Sequence, residues 1–363
     1  MHLLQAQPGA IADGSEPVDL GQSPGDIVVL SAADTELASL SAARAGLGDD
    51  FPSLRLANLM QLSHNFSVDL YVETVIAGAR LVVVRLLGGV GYWPYGVEQL
   101  EAACGAAGIP LALLPGDDQP DAELARRSSL PAEACHRLWQ YGVQGGPENA
   151  RDFLAYATSL LGHETDWQEP RPLARAGIYR PPALSEDPLA AARDGERPVA
   201  AIVFYRALLQ AGNTAPIDAL AKALLAEGIA PLPVYCASLK EPVSAEIVAQ
   251  LLAEAGAGLV LNATGFAVGR PGRERGETPF DGVDGPVLQV VFSGGNLEAW
   301  RDGTQGLSAR DIAMNVALPE VDGRILSRAV SFKAEARYDP LTETRSEERR
   351  VGKECRSRWS PYH

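Results

Sequence analysis

Hydrophobic positions fall into short solid runs separated by stretches of helical spacing. DIVVLS (26–31), SLRLAN (53–58), RLVVVRLLGG (80–89) and IPLALLPGDD (109–118) are compact apolar segments bounded by Gly, Pro and Asp, the pattern of strands buried on both faces. Between them, TELASLSAARAGL (35–47), VDLYVETVIAGA (68–79) and VEQLEAACGAAG (97–108) repeat their apolar residues every three or four positions, which predicts helices. AELARRSSL, PAEACHRLWQYG and PENARDFLAYATSLL add further helices before residue 162. Buried strands alternating with helices imply a parallel sheet covered on both sides.

Residues 163–197 change character: Pro, Arg and acidic residues dominate, as in a connector with short irregular contacts. A second alternation follows. PVAAIVFY (198–205), IAPLPVYCA (229–237), GLVLNAT (258–264) and GPVLQVVFSGG (285–295) predict strands. APIDALAKALLAEG (215–228) and SAEIVAQLLAEAG (244–256) predict helices, with Pro216 in a first turn where proline is tolerated. NLEAWRDG and SARDIAMNVAL predict short helices, and GRILSRAVSFK (323–333) a strand leaving the domain. The expectation is two doubly wound parallel-sheet α/β domains of the Rossmann/flavodoxin-like kind. They comprise 26–162 and 198–344, after a Gly-, Pro- and Asp-rich entry at 1–25.

The last residues, RSEERRVGKECRSRWSPYH (345–363), break the pattern and hold six of the 31 Lys and Arg residues but only three of the 46 Asp and Glu. One choice of codons back-translates this run, in frame and without a gap, into a string resembling a common sequencing-library adapter. The segment is therefore expected to be foreign and is set aside from fold reasoning. Without it the chain is more acidic than its formal charge of −15. A surface of that sign repels nucleic acid and anionic lipid, so neither is expected as a partner. Cys104, Cys135 and Cys236 are widely spaced and odd in number, which fits reduced thiols in a cytoplasm better than disulfides or a zinc site. The start has no signal-peptide pattern, and no apolar string is long enough to span a bilayer.

In open α/β sheets ligands gather beyond the carboxyl ends of the strands, which singles out a few loops. Asn213 and Thr214 precede a helix and either could cap it, leaving backbone N–H groups for a carboxylate or amide; capping alone is the simpler reading. After GLVLNAT comes GFAVGRPGRERGETPFDG, where Gly265, Gly269 and Gly272 allow close backbone approach and Arg270, Arg273 and Arg275 could meet anionic groups, with Thr264 at the strand's end a further substrate-side candidate; a solvated loop explains the run equally well. Ser293 and Gly294, in FSGGN, resemble an anion nest between strand and helix, on a short motif. In the first half, LGGVGYWPYG (87–96) offers a flat aromatic surface or a packed corner. His64 is the histidine to test as ligand or base, against a structural role. Glu320 and Asp322, in LPEVDGR, could act as an acid–base pair or as metal ligands, and a turn explains them equally well. Neither GxxxxGK[ST] nor GxGxxG occurs.

Several of these segments have a familiar wording. YRALLQAGNTAPIDAL, PVYCASLKEP, LNATGFAVG and GLSARDIAMNVALPEVDGRILSRAVSFK resemble the CobN family of aerobic cobaltochelatase large subunits, the cobalt counterpart of the magnesium chelatase H subunits. DIVVLSAADTELASL through WPYGVEQLEAAC resembles that family's amino-terminal region. The resemblance implies ATP-dependent insertion of Co2+, as substrate, into hydrogenobyrinic acid a,c-diamide. The large subunit would hold the corrin, while two AAA+ motor subunits use ATP and Mg2+. It also implies that a chain stopping near Thr344 is a fragment inactive alone. No catalytic residue carries over. Two alternatives stay open: a porphyrin-binding magnesium chelatase H fragment, and a stand-alone two-lobed binding module.

Overall fold

The structure is a computed structural model that describes residues 4–5, 16–48, 50–269, 276–302, 306–333, 337–346 and 349–351. The chain divides into two compact units: 1–173 with 210–212 and 335–347, and 174–209 with 213–334 and 348–363.

The first unit carries four parallel strands: β1 (Ile27–Ser31), β2 (Leu54–Asn58), β3 (Leu81–Leu86) and β4 (Leu111–Pro115), in the order β2-β1-β3-β4. Between and after them come α1 (Asp34–Ala45), α2 (Asn65–Thr74), α3 (Pro94–Ala107), α4 (Ala122–Arg127), α5 (Ala132–Gln144) and α6 (Pro147–Ser159). The solid apolar runs are explained by double coverage. Val28, Leu30, Val82 and Val84 pack with Val68, Tyr71, Val97 and Leu100 of α2 and α3. Ile27, Val29, Leu81 and Val83 pack with Leu37, Leu40, Leu138 and Phe153 of α1, α5 and α6. Local chemistry sets the helix ends. Pro94 opens α3, Gly108 closes it in the left-handed region at φ 68°, and the Asp121 carboxylate accepts from the N–H groups of Glu123 and Leu124 at the start of α4. Truncating one of the fully buried leucines, such as Leu56, to Ala would cost about 2–5 kcal/mol.

The second unit contains β5 (Ala176–Ile178), α7 (Pro188–Arg193), β6 (Val199–Tyr205), α8 (Ala215–Ala226), β7 (Ala230–Cys236), α9 (Pro242–Glu254), β8 (Leu259–Asn262), β9 (Val287–Asn296) and β10 (Ile325–Lys333). A hairpin of β11 (Arg337–Asp339) and β12 (Thr344–Ser346) belongs to the first unit, and β13 (Arg349–Val351) to the second. The second sheet runs β13-β10-β9-β8-β6-β7-β5, parallel except at its two edges. Both units are thus parallel-sheet α/β structures, as the alternation predicted.

Two local expectations change. Residues 174–197, placed in a connector, supply β5 and α7 to the second unit; β5 pairs antiparallel with β7 through Ala176 and Ile178. The strand expected to leave the domain stays in it, because β10 pairs parallel with β9 and its Phe332 is buried. Between β9 and β10, Ala309–Ile312, Ala313–Ala317 and Leu318–Glu320 form one helical stretch whose middle is π-helical.

Candidate functional site: a polar network under the loop after β8

Strand β8 reads LVLN, and its last residue is a polar side chain with no solvent exposure. Asn262 Nδ2 donates to Gln289 Oε1 of β9 at 2.8 Å and to the Thr264 carbonyl at 3.1 Å, and its Oδ1 accepts from the Thr264 hydroxyl at 2.9 Å. Gln289 Nε2 also donates to the Thr264 carbonyl, at 2.8 Å. The register puts Asn262 and Gln289 side by side on neighbouring strands, so each satisfies the amide the other buries. Arg324, just ahead of β10, extends its Nη1 to the Thr264 carbonyl and Gln289 Oε1 at 3.4 and 3.5 Å, and Nη2 donates to Asp322 Oδ2 at 2.8 Å. Both members of this ion pair are buried. Burial pushes the Arg324 guanidinium below its ordinary range, and the adjacent Asp322 carboxylate opposes that shift.

This network fixes the following loop. Asp322 accepts from the Val268 N–H at 2.7 Å and the Gly269 N–H at 2.9 Å. The Tyr205 hydroxyl donates to the Gly265 carbonyl at 2.9 Å, and burial raises that phenol to about 12. Phe266 N–H donates to the Met314 carbonyl in the π-helical segment at 2.8 Å. A side chain at Gly265 would press on Met314 O and Asn315 Oδ1, each 3.2 Å from the added carbon, so the loop lies close against that segment. An open cleft of ≈ 330 Å³ lies beside the ion pair, lined by Phe280, Val283, Val287, Asp322, Arg324 and Ile325 among others. It sits at the amino ends of β9 and β10, opposite to where the carboxyl-end rule directed attention.

Thr264, Gly265 and Asp322 are therefore brought into one cluster, while Arg270, Gly272, Arg273 and Arg275 lie outside the described residues. Glu320 is exposed and separate from the buried Asp322, which is fully engaged as an anchor. The nest at Ser293 and Gly294 is filled by the chain's own Asp311: Ser293 Oγ donates to Oδ2 at 2.7 Å and Gly294 N–H to Oδ1 at 3.0 Å. Thr214 stands at the start of α8 without a side-chain bond to its amides; its hydroxyl and the Tyr179 hydroxyl instead meet Asp218. Burial raises the Asp218 carboxyl above its ordinary range. The backbone N–H of Asn213 donates to the Leu208 carbonyl at 2.8 Å. His64, in the first unit, caps α2 by accepting the Phe66 N–H at Nδ1, 3.1 Å away. Trp93 is packed inside with its indole N–H on the Leu62 carbonyl at 2.9 Å, so LGGVGYWPYG is a packed corner there. Among the described residues, no three His, Cys, Asp or Glu side chains converge as a metal site, and no helix is long and apolar enough to cross a membrane.

Asn262, Gln289, Arg324, Asp311 and Phe266 were not singled out from the sequence. The first two had a signal: a lone amide inside an otherwise apolar strand has to find a buried partner.

Residues 139–358 match the family described as CobN/Magnesium Chelatase. The chain is 49% identical over 353 residues to an aerobic cobaltochelatase subunit CobN from Sinorhizobium sp, covering 94% of this chain and 28% of that protein. It is 47% identical to the protein of the same name from Pseudomonas aeruginosa, covering 92% and 27%. The catalytic subunit of cobaltochelatase from Mycobacterium tuberculosis superposes with a TM-score of 0.68 at 27% identity, over 91% of this chain and 26% of that one. The chain thus spans little more than a quarter of the length of these relatives. With the family match extending over more than half of its length, the chain belongs to the CobN/Magnesium Chelatase family.

Proposed function

We propose that this chain is the amino-terminal part of the large, corrin-binding subunit of an ATP-dependent aerobic cobaltochelatase. In this reading the assembly inserts Co2+ into hydrogenobyrinic acid a,c-diamide on the route to cobalamin, in the cytoplasm. The observation that carries the reading is near-half identity to two cobaltochelatase subunits along more than nine tenths of the chain. The magnesium chelatase subunit of rice is 27% identical over 59% of it, which favours the cobalt branch.

Insertion requires that the aquated metal lose water, that ring nitrogens lose protons and that the macrocycle be held in place. Co2+ stands mid-series in intrinsic affinity, so selection among metals depends on geometry and supply. The described residues of this chain support the holding task. They offer a loop anchored by buried hydrogen bonds and an open cleft beside it. ATP and Mg2+ are assigned to two AAA+ motor subunits. Thr264, Gly265, Arg270, Asn213 and Thr214 stay proposals as substrate-side positions, and His64 and Glu320 as acid–base or metal positions, whereas Ser293 and Gly294 are taken up by Asp311 and Asp322 by the loop it anchors.

Mixing the chain with both motor subunits, the corrin, Co2+ and ATP tests this. Corrin binding without turnover is expected. Metal insertion by this chain in place of the full-length subunit would refute its assignment as a partial scaffold; tight binding of unrelated small solutes with no corrin response would favour a stand-alone binding module.

A further inference from the structure

Phe266 has a backbone conformation that costs energy and a side chain that gains little from burial. Its φ is 61°, in the left-handed region where Gly or Asn is the economical choice, yet the residue is a large aromatic that is 43% exposed. The surroundings hold it there. Gly265 is bonded to the Tyr205 hydroxyl, Phe266 N–H to the Met314 carbonyl, and the N–H groups of Val268 and Gly269 to the Asp322 carboxylate. The receiving carbonyl lies in the π-helical segment, a local departure from α-helix that recurs at functional sites. Lys240, itself exposed, places its Nζ 5.9 Å from the centroid of the Phe266 ring. In a chain of formal charge −15, an acid-bearing ligand depends on such local cations.

We propose that Phe266 is a stacking contact for the flat face of an acid-bearing tetrapyrrole, with Lys240 meeting a carboxylate at the rim of the macrocycle. The inference deepens the corrin-holding reading above and rests on it. A loop already held by its hydrogen bonds loses little backbone freedom when a planar ligand lies against the ring it presents. The face of a macrocycle matches an exposed ring, and its acidic side arms match the ammonium group.

Titration of the whole chain with hydrogenobyrinic acid a,c-diamide and with protoporphyrin IX, followed by absorbance and Trp fluorescence, tests the inference. F266G is the informative variant, because glycine relieves the positive φ while removing the ring. F266G should weaken tetrapyrrole binding about tenfold while the thermal midpoint stays level or rises, and F266W should keep most of the affinity. K240Q should weaken the acid-bearing probes about threefold and leave their fully esterified forms unchanged. Equal binding by wild type and F266G would overturn the stacking assignment and leave the corrin-holding reading standing. Failure of the wild-type chain to bind either macrocycle would instead overturn that reading, and this contact with it. If F266G lost thermal stability along with affinity, the ring would be a structural element and the proposal would fall.

Discussion

The two parallel sheets are built from similar strands, and their buried polar groups are used in opposite ways. In the first unit, strand order reverses between β1 and β3, the place where doubly wound sheets hold ligands. There the chain uses its own side chains. Ser31 Oγ donates to Glu36 Oε2 at 2.7 Å, Arg85 pairs with the same carboxylate, and Arg85 also donates to the carbonyls of Pro115 and Gly116 at 3.3 and 3.2 Å. In the second unit the buried polar groups lie deeper, between β8, β9 and the approach to β10, and they secure a loop that presents Phe266 outward. Polar burial in one case closes the rim with the chain's own side chains; in the other it anchors a loop. A buried ion pair says little about function until the groups it holds in place are known.

The contrast should be largest in stability. Arg324→Met leaves Asp322 as a buried carboxylate without its cation, so a loss of about 3–5 kcal/mol is expected in chemical denaturation of the second unit. The double variant Arg324→Met with Asp322→Asn should recover part of it. Next, Arg85→Met removes a buried charge-assisted pair whose partner Glu36 can still reach water, so about 1.5–3 kcal/mol is expected, confined to the first unit. Equal losses from both substitutions would erase the distinction between a fully buried support and a half-open plug. Gly96→Ala sharpens the contrast at the packed corner. An added carbon would lie 2.1 Å from the Trp93 ring, an overlap expected to cost about 1–3 kcal/mol.

The smallest effect concerns pH. The Ser53 hydroxyl, donating to Asp26 Oδ2 at 2.6 Å, holds the Asp26 carboxyl below its usual range. A depressed folded-state value stabilises the first unit above the unfolded carboxylate range. That contribution disappears as pH falls through the depressed folded value. Wild type and Asp26→Asn should therefore differ by up to about 1 kcal/mol at neutral pH and converge in acid, measured by urea unfolding across that range.

The fold was legible wherever pattern is local. LVVV and IVVL announce strands because both faces of a parallel sheet are covered, and Gly108 marks a helix end because that turn needs a positive φ. What sequence could not convey was pairing between distant residues. Nothing in AGI at 176–178 reveals an edge strand until β7 is beside it, and its Pro- and Arg-rich flanks read as a connector. The same holds for the site. Thr264, Gly265 and Asp322 were reachable from loop position, whereas the roles of Asn262, Gln289 and Arg324 exist only through one another. SGG looked like a place for an external anion because the carboxylate that fills it, Asp311, arrives from a helix later in the chain.

Hydrogen exchange of the chain with and without hydrogenobyrinic acid a,c-diamide tests the contrast most directly. The amides of Phe266, Val268 and Gly269 should exchange slowly already in the free chain and slow further with the corrin, while those around Ser31, Glu36 and Arg85 should not respond. Corrin-dependent protection confined to the first unit, or rapid exchange at Val268 and Gly269 in the free chain, would contradict it.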